Sequence, residues 1–148
     1  MDQHLLEWLK SNQNRSFESP RRTIFRTRTQ RFEIVDVNEE RKVVKIEFSK
    51  QHTPLWLKFW RFETALDLLE RNKGKWMRLG TRIDSDDPDT LEWQIQRKAR
   101  QIHPNRQIDL KSAPHICDIL VLSGIAKYGR AINPSTKREN QAAKLVET

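Results

Sequence analysis

Apolar and polar side chains alternate along two stretches of this 148-residue chain and recur at helical spacing along several others. Residues 22–48 form the first alternating stretch and predict a β-hairpin closed by Asn38-Glu39-Glu40. Setting Val37 opposite Arg41 pairs Val35 with Val43, Glu33 with Lys45 and Arg31 with Glu47. Phe32, Ile34, Val44, Ile46 and Phe48 then share one apolar face. The second stretch, from Lys75 to Ile83, predicts a strand with two unlike faces. Met77, Leu79 and Ile83 point to the core, and Trp76, Arg78, Gly80 and Arg82 point away from it.

Helical spacing predicts a short helix over Asp2 to Lys10, with Leu5, Leu6 and Leu9 on one side. Residues 11–20 show little periodicity and predict a mobile, arginine-bearing arm. Thr53-Pro54 has the chemistry of a helix start, and Gly74 that of a left-handed end. Between them Leu55, Phe59, Phe62, Leu66 and Leu69 form a core stripe, with Trp56 and Trp60 one turn apart on its flank. Asp87-Pro88 predicts a helix to Ile102 with Leu91, Ile95 and Ala99 inward. Ser112 predicts the cap of a strongly apolar helix over Ala113 to Lys127. Thr136 opens a last helical pattern that is still running at the end of the chain. The fold class is therefore α+β, a small antiparallel sheet backed by four to five helices. Residues 1–22 read as a short helix and basic arm, 23–133 as one α+β domain, and 134–148 as the start of a C-terminal helix suited to dimerisation.

Composition narrows what such a domain can do. Hydrophobic residues make up 36% and charged residues 32%, so little apolar material is left over beyond one core. The formal net charge of +8 favours a polyanionic partner. Arg15, Arg21, Arg22, Arg26, Arg28 and Arg31 cluster early with no lysine among them, and arginine is preferred where phosphate is gripped bidentately or bases are stacked. Cys117 is the single cysteine, which excludes an internal disulfide and fits a reducing, cytoplasmic setting. The four histidines have no metal-ligand spacing, so neither a metal nor another cofactor is expected. No apolar run approaches a membrane span, and no membrane partner is expected.

Stacking rings beside basic groups are what a single strand of nucleic acid needs, because every base has a π-face and every nucleotide a phosphate. Lys75, Trp76, Arg78 and Arg82 supply both on the outward face of the second strand. Arg21, Arg22, Arg26 and Arg28 find no acidic partner in the predicted hairpin pairing and join them, and Trp56 and Trp60 complete the candidate set. Single-stranded DNA is the expected ligand, with RNA the other candidate. Two other readings compete. Pro88-Asp89 followed by Asp109-Leu110-Lys111 resembles the PD…(D/E)xK arrangement of metal-dependent nucleases, but Asp89 opens a helix where those enzymes use adjacent strands. No catalytic residue is therefore assigned. A winged helix binding duplex DNA would use the helix through Ile125 for recognition and residues 130–144 as the wing, yet the segment around Ile119 is too apolar for a major groove.

The basic, tryptophan-rich chain, its Arg-bearing hairpin, its Lys75–Ile83 strand and the surrounding helices together resemble the ThermoDBP family, single-stranded DNA-binding proteins of the Thermoproteales. The resemblance is one of overall pattern and size, spans nearly the whole chain and includes no short diagnostic motif. It implies a small antiparallel sheet supported by helices rather than an OB-fold. It also implies a cleft mixing apolar and basic side chains, sequence-tolerant binding, and homodimerisation through a C-terminal zipper of which these residues carry only the start.

Overall fold

A computed structural model describes residues 1–80, 86–105 and 110–147. The chain divides into two compact units, Met1–Glu63 and Thr64–Thr148, and the division falls inside a helix rather than at the ends of a 23–133 domain. Each unit holds its own antiparallel sheet, so the class is α+β, with five helices among the described residues.

The first unit begins with α1 (Gln3–Ser11), where the Asp2 carboxylate accepts from the Leu5 N–H at 2.9 Å and Leu5 and Leu9 are buried. Next come β1 (Ser16–Glu18), α2 (Arg21–Phe25), β2 (Arg31–Asn38), β3 (Val43–Phe48) and β4 (Pro54–Lys58), paired in the order β1-β2-β3-β4. Residues 11–20 are thus not a mobile arm. Phe17 on β1 stacks between Trp8 and Phe32, with ring centroids at 5.4 and 6.1 Å, and ties α1 and β1 to β2. Residues 21–25 are likewise helix, not hairpin.

The hairpin register is shifted from the expected one. Phe32 faces Phe48, Glu33 faces Glu47, Ile34 faces Ile46, and after an irregularity between Ile34 and Asp36, Asp36 faces Lys45 and Val37 faces Val44. The loop is longer than expected, and Lys42 turns it with φ 55°. The slip is two residues up to Ile34 and three beyond the irregularity. The two-residue part keeps the same side chains on the apolar face, so hydrophobic patterning could not choose between the registers there. The expected helix start at Thr53-Pro54 is corrected as well. Pro54–Lys58 forms edge strand β4, where a missing N–H is tolerated, and its alternation leaves Leu57 buried and Trp56 exposed. Helix α3 (Phe59–Arg71) starts only after it, and Gly74 follows with φ +82°.

The second unit continues from α3 through β5 (Met77–Arg78), α4 (Leu91–Ile102), α5 (Ala113–Leu122), β6 (Ala126–Ile132) and β7 (Glu139–Leu145). The last strand lies in the middle of the sheet, β5-β7-β6. Helix, strand, two helices and a hairpin with this strand order is the arrangement of a winged helix-turn-helix. Residues 139–145 are therefore strand and not the start of a helical zipper. Ala142 and Ala143 fill the middle of the sheet, opposite Gly129 and Tyr128 on β6 and Arg78 and Met77 on β5. Helix α5 ends at Leu122, and Lys127 belongs to β6.

Two carboxylates organise this unit. Thr90, not Asp87, caps α4, its Oγ1 accepting from the Trp93 N–H at 3.2 Å. Asp87 instead accepts a two-pronged bond from the guanidinium of Arg78, at 2.5 and 3.1 Å, and that bond holds its carboxyl below the usual carboxylate range. Glu92 is fully buried, and burial pushes its carboxyl up against the opposing pull of its hydrogen bonds. Its Oε1 accepts from the N–H groups of Ser112 (3.1 Å) and Ala113 (3.4 Å), the cap of α5 that the Ser112 hydroxyl does not provide.

Asp87→Asn tests the first pair. A hydrogen bond to a charged group contributes roughly 1.5–3 kcal/mol, and the partial exposure of Asp87 keeps the loss toward the lower end. Because the folded-state pKa of Asp87 is lowered, its contribution is complete above the unfolded value and disappears as pH falls through the folded one. Urea unfolding should separate wild type from variant at pH 7, and the difference should shrink as pH falls below the carboxylate range.

Candidate nucleic-acid interface

The outward face expected on the second strand is mostly absent. Arg78 is 6% exposed and its guanidinium is bound to Asp87. Gly80 is not an opening either. It has φ +83°, and a Cβ there would meet Thr90 Oγ1 at 2.9 Å and Glu92 Cβ at 3.0 Å, so its small size serves packing. Arg82 and Ile83 lie outside the described residues. Lys75 is exposed, and Trp76 is 36% exposed with its ring lying against Gly129.

Trp76 acquires a basic neighbourhood from the hairpin that residues 126–145 form. Lys144 Nζ sits 4.5 Å from the Trp76 ring centroid, and Lys127 lies directly across the strands from Lys144. Like charges placed opposite one another oppose strand pairing, and an anion above them would relieve that repulsion. Arg130, Lys137 and Arg138 continue the basic character toward the hairpin tip, with Glu139 the acidic residue among them.

The first unit carries a second pair of the same kind. Trp56 is 52% exposed on β4, and Lys45, its cross-strand partner on β3, holds Nζ 4.9 Å from the ring centroid. Trp60 does not accompany it on one helix flank. It is half-buried on α3 with the Arg61 guanidinium 4.6 Å from its ring, and Arg61 is itself buried.

The arginine run gathers at one end of the first sheet. Arg26, with φ 57°, ends α2 and bends the chain back toward β2. Arg21 Nη2 donates to Gln30 Oε1 at 3.0 Å and Arg22 Nε to Thr29 Oγ1 at 3.0 Å, which fastens α2 to the returning segment. Arg21 and Arg28 line a cavity of about 350 Å³, while Arg22 and Arg26 are exposed beside it. Arg31 and Lys50 line it too. Sequence reasoning set Arg31 aside as compensated by Glu47; the true register puts Glu33 opposite Glu47, and Arg31 instead faces Glu18 across β1 and β2, at 3.9 Å. Lys45 was set aside in the same way, as the partner of Glu33, and faces Asp36 instead. Lys127 and Lys144 were hidden by their assignment to helices, and the alternation Lys127, Gly129, Ala131 was the signal for a strand.

Asp87 is held by Arg78, and no group of three or more ligating side chains occurs among the described residues. Asp84 and Asp109 lie outside them. Compared with protein-family models, curated proteins and solved structures, the chain matches none.

Gly129→Ala tests the seat of Trp76. Its Cβ would fall 2.4 Å from Trp76 Cη2, so the indole must swing outward. The expected loss is about 1 kcal/mol, the low end for overpacking, because the ring can move into solvent. The Trp76 indole N–H resonance should shift while those of Trp8 and Trp56 stay in place.

Proposed function

We propose that this protein binds single-stranded nucleic acid, DNA in the first instance, with little sequence preference and without a catalytic step. One observation carries the reading. Each unit presents an exposed indole with a lysine ammonium on its face, Trp56 with Lys45 and Trp76 with Lys144. A base can take the lysine's place on the ring while the ammonium moves to the adjoining phosphate, so one pair serves both parts of a nucleotide. Such a contact reads a π-face and a charge, not a base edge, which is why sequence tolerance follows. The arginines from Arg21 to Arg28 add cations in the first unit. Residues 139–145 being strand, a C-terminal zipper forms no part of the proposal.

A second reading draws on the winged-helix order of the second unit, which favours duplex DNA. Helix α5 stands in the recognition position, but Ile116, Cys117, Asp118, Ile119 and Leu120 are buried. It therefore offers few polar side chains to the edges of base pairs. Duplex contact would fall to the basic hairpin and its phosphates.

Fluorescence titration with single-stranded and duplex oligonucleotides of equal length separates the two. Single strands should bind more tightly, and log affinity should fall with log salt by about 0.7 per phosphate contacted. A base–aromatic stack contributes roughly 1–3 kcal/mol, so Trp56→Ala should weaken single-strand binding about tenfold or more and leave the salt slope unchanged. Lys45→Ala should lower the slope. Tighter binding of duplex, with no effect of Trp56→Ala, would favour the winged-helix reading.

A further inference from the structure

The cavity at the end of the first sheet has a chemistry of its own. Arg21, Arg28, Arg31 and Lys50 line it, and none of its lining residues is acidic. Ser19, Thr27, Thr29, Gln30 and Gln51 supply hydroxyls and carboxamides, and Phe48 gives one half-buried apolar wall. Its shape is set by backbone bonds as well as side chains. Ser19 N–H donates to the Gln30 carbonyl at 2.7 Å, Ser49 N–H to the Arg31 carbonyl at 3.0 Å, and His52 N–H to the Phe48 carbonyl at 2.8 Å. The segments before β2 and after β3 are thus both fixed around the opening. About 350 Å³ exceeds what a lone phosphate fills and falls in the range of small-molecule sites, roughly 300–1,000 Å³.

Resting on the nucleic-acid reading, we infer that this cavity receives a nucleotide through its phosphomonoester, either the 5′-phosphorylated end of a strand or a free nucleoside monophosphate. A monoester carries close to two negative charges at neutral pH, against one for a backbone diester. Four cations around one cavity match the monoester better. Guanidinium groups grip its oxygens in pairs, and Lys50 adds a point charge. Phe48 offers an apolar surface to the sugar or base. Glu18 draws on Arg31 from outside, both half-exposed, a contact weak enough for a phosphate to displace.

Calorimetric titration with thymidine 5′-monophosphate, thymidine, and oligothymidylate carrying a 5′-phosphate or a 5′-hydroxyl tests this. Thymidine 5′-monophosphate should bind where thymidine does not, and the 5′-phosphate should tighten oligonucleotide binding by about tenfold, as one charge-assisted contact implies. Arg28→Glu with Lys50→Glu, both at exposed positions, should abolish both effects, and Arg28→Gln should weaken them. An end effect alone would assign the strand end as the ligand, and monophosphate binding alone the free nucleotide. Absence of both, or persistence of both in the double variant, would overturn the proposal. The 5′-hydroxyl oligonucleotide reports separately on the proposed function: if it fails to bind while the monophosphate binds, that reading falls and the pocket stands.

Discussion

A single buried carboxylate holds the second unit together. Removing an ionised Glu92 from water has a large desolvation penalty, so the fold must return hydrogen bonds to it. It does so with three donors. Ser112 and Ala113 give the first N–H groups of α5, Gln96 donates at 3.3 Å from the next turn of α4, and the same Gln96 reaches the Leu110 carbonyl at 2.9 Å. The Glu92 N–H meanwhile donates to the Leu79 carbonyl at 2.9 Å, just past β5. One residue therefore sets the relation of β5, α4 and α5. Gly80 is required by it, since any Cβ there would strike Glu92 and Thr90. The raised pKa means this arrangement is most stable below the ordinary carboxylate range and loses stability as pH rises through the folded value, opposite in sign to Asp87.

Most of what could be read from the sequence was burial. Leu5 and Leu9, Phe32, Ile34, Val44 and Ile46 of the hairpin, Leu91, Ile95 and Ala99, and Ile116, Ile119 and Leu120 of α5 are buried where periodicity places them. Element type was harder, most of all where strands were read as helix. Pro54 to Lys58 and Glu139 to Leu145 satisfy a helical pattern locally, yet each completes a sheet whose neighbouring strand lies elsewhere in the chain. Tertiary pairing overrides propensity in such short segments. The cap of α5 was illegible for the same reason, because its donor groups and the carboxylate they serve are 20 residues apart.

The candidate site turned on register rather than composition. Balancing charges across the hairpin paired Lys45 with Glu33 and Arg31 with Glu47, and the slip to the true register exchanges those partners for Asp36 and Glu18. Lys45 then faces Trp56 across β3 and β4, and Arg31 joins the cavity wall. The same slip opposes Glu33 to Glu47, with His52 Nδ1 3.5 Å from Glu47. Charge complementarity is a sound guide to cross-strand pairing only where nothing else selects the register. Here the two-residue slip left the apolar face unchanged, and Phe32–Phe48 and Ile34–Ile46 stand where Phe32–Ile46 and Ile34–Val44 were expected.

The buried state of α5 bears directly on how the winged-helix arrangement would meet nucleic acid. A recognition helix must leave one face polar and free, and α5 keeps only His115 and its last turn partly open. Its apolar side chains are committed to the core, and Asp118 is committed to the Tyr128 hydroxyl, which donates to it at 2.6 Å. The hairpin is left as the surface with cations to offer, and Trp76 is seated on it because Gly129 leaves room for the ring. The order of elements in this unit and the place of its exposed cations thus diverge. The helix in the recognition position is spent on packing, while the cations and the indole lie on the hairpin.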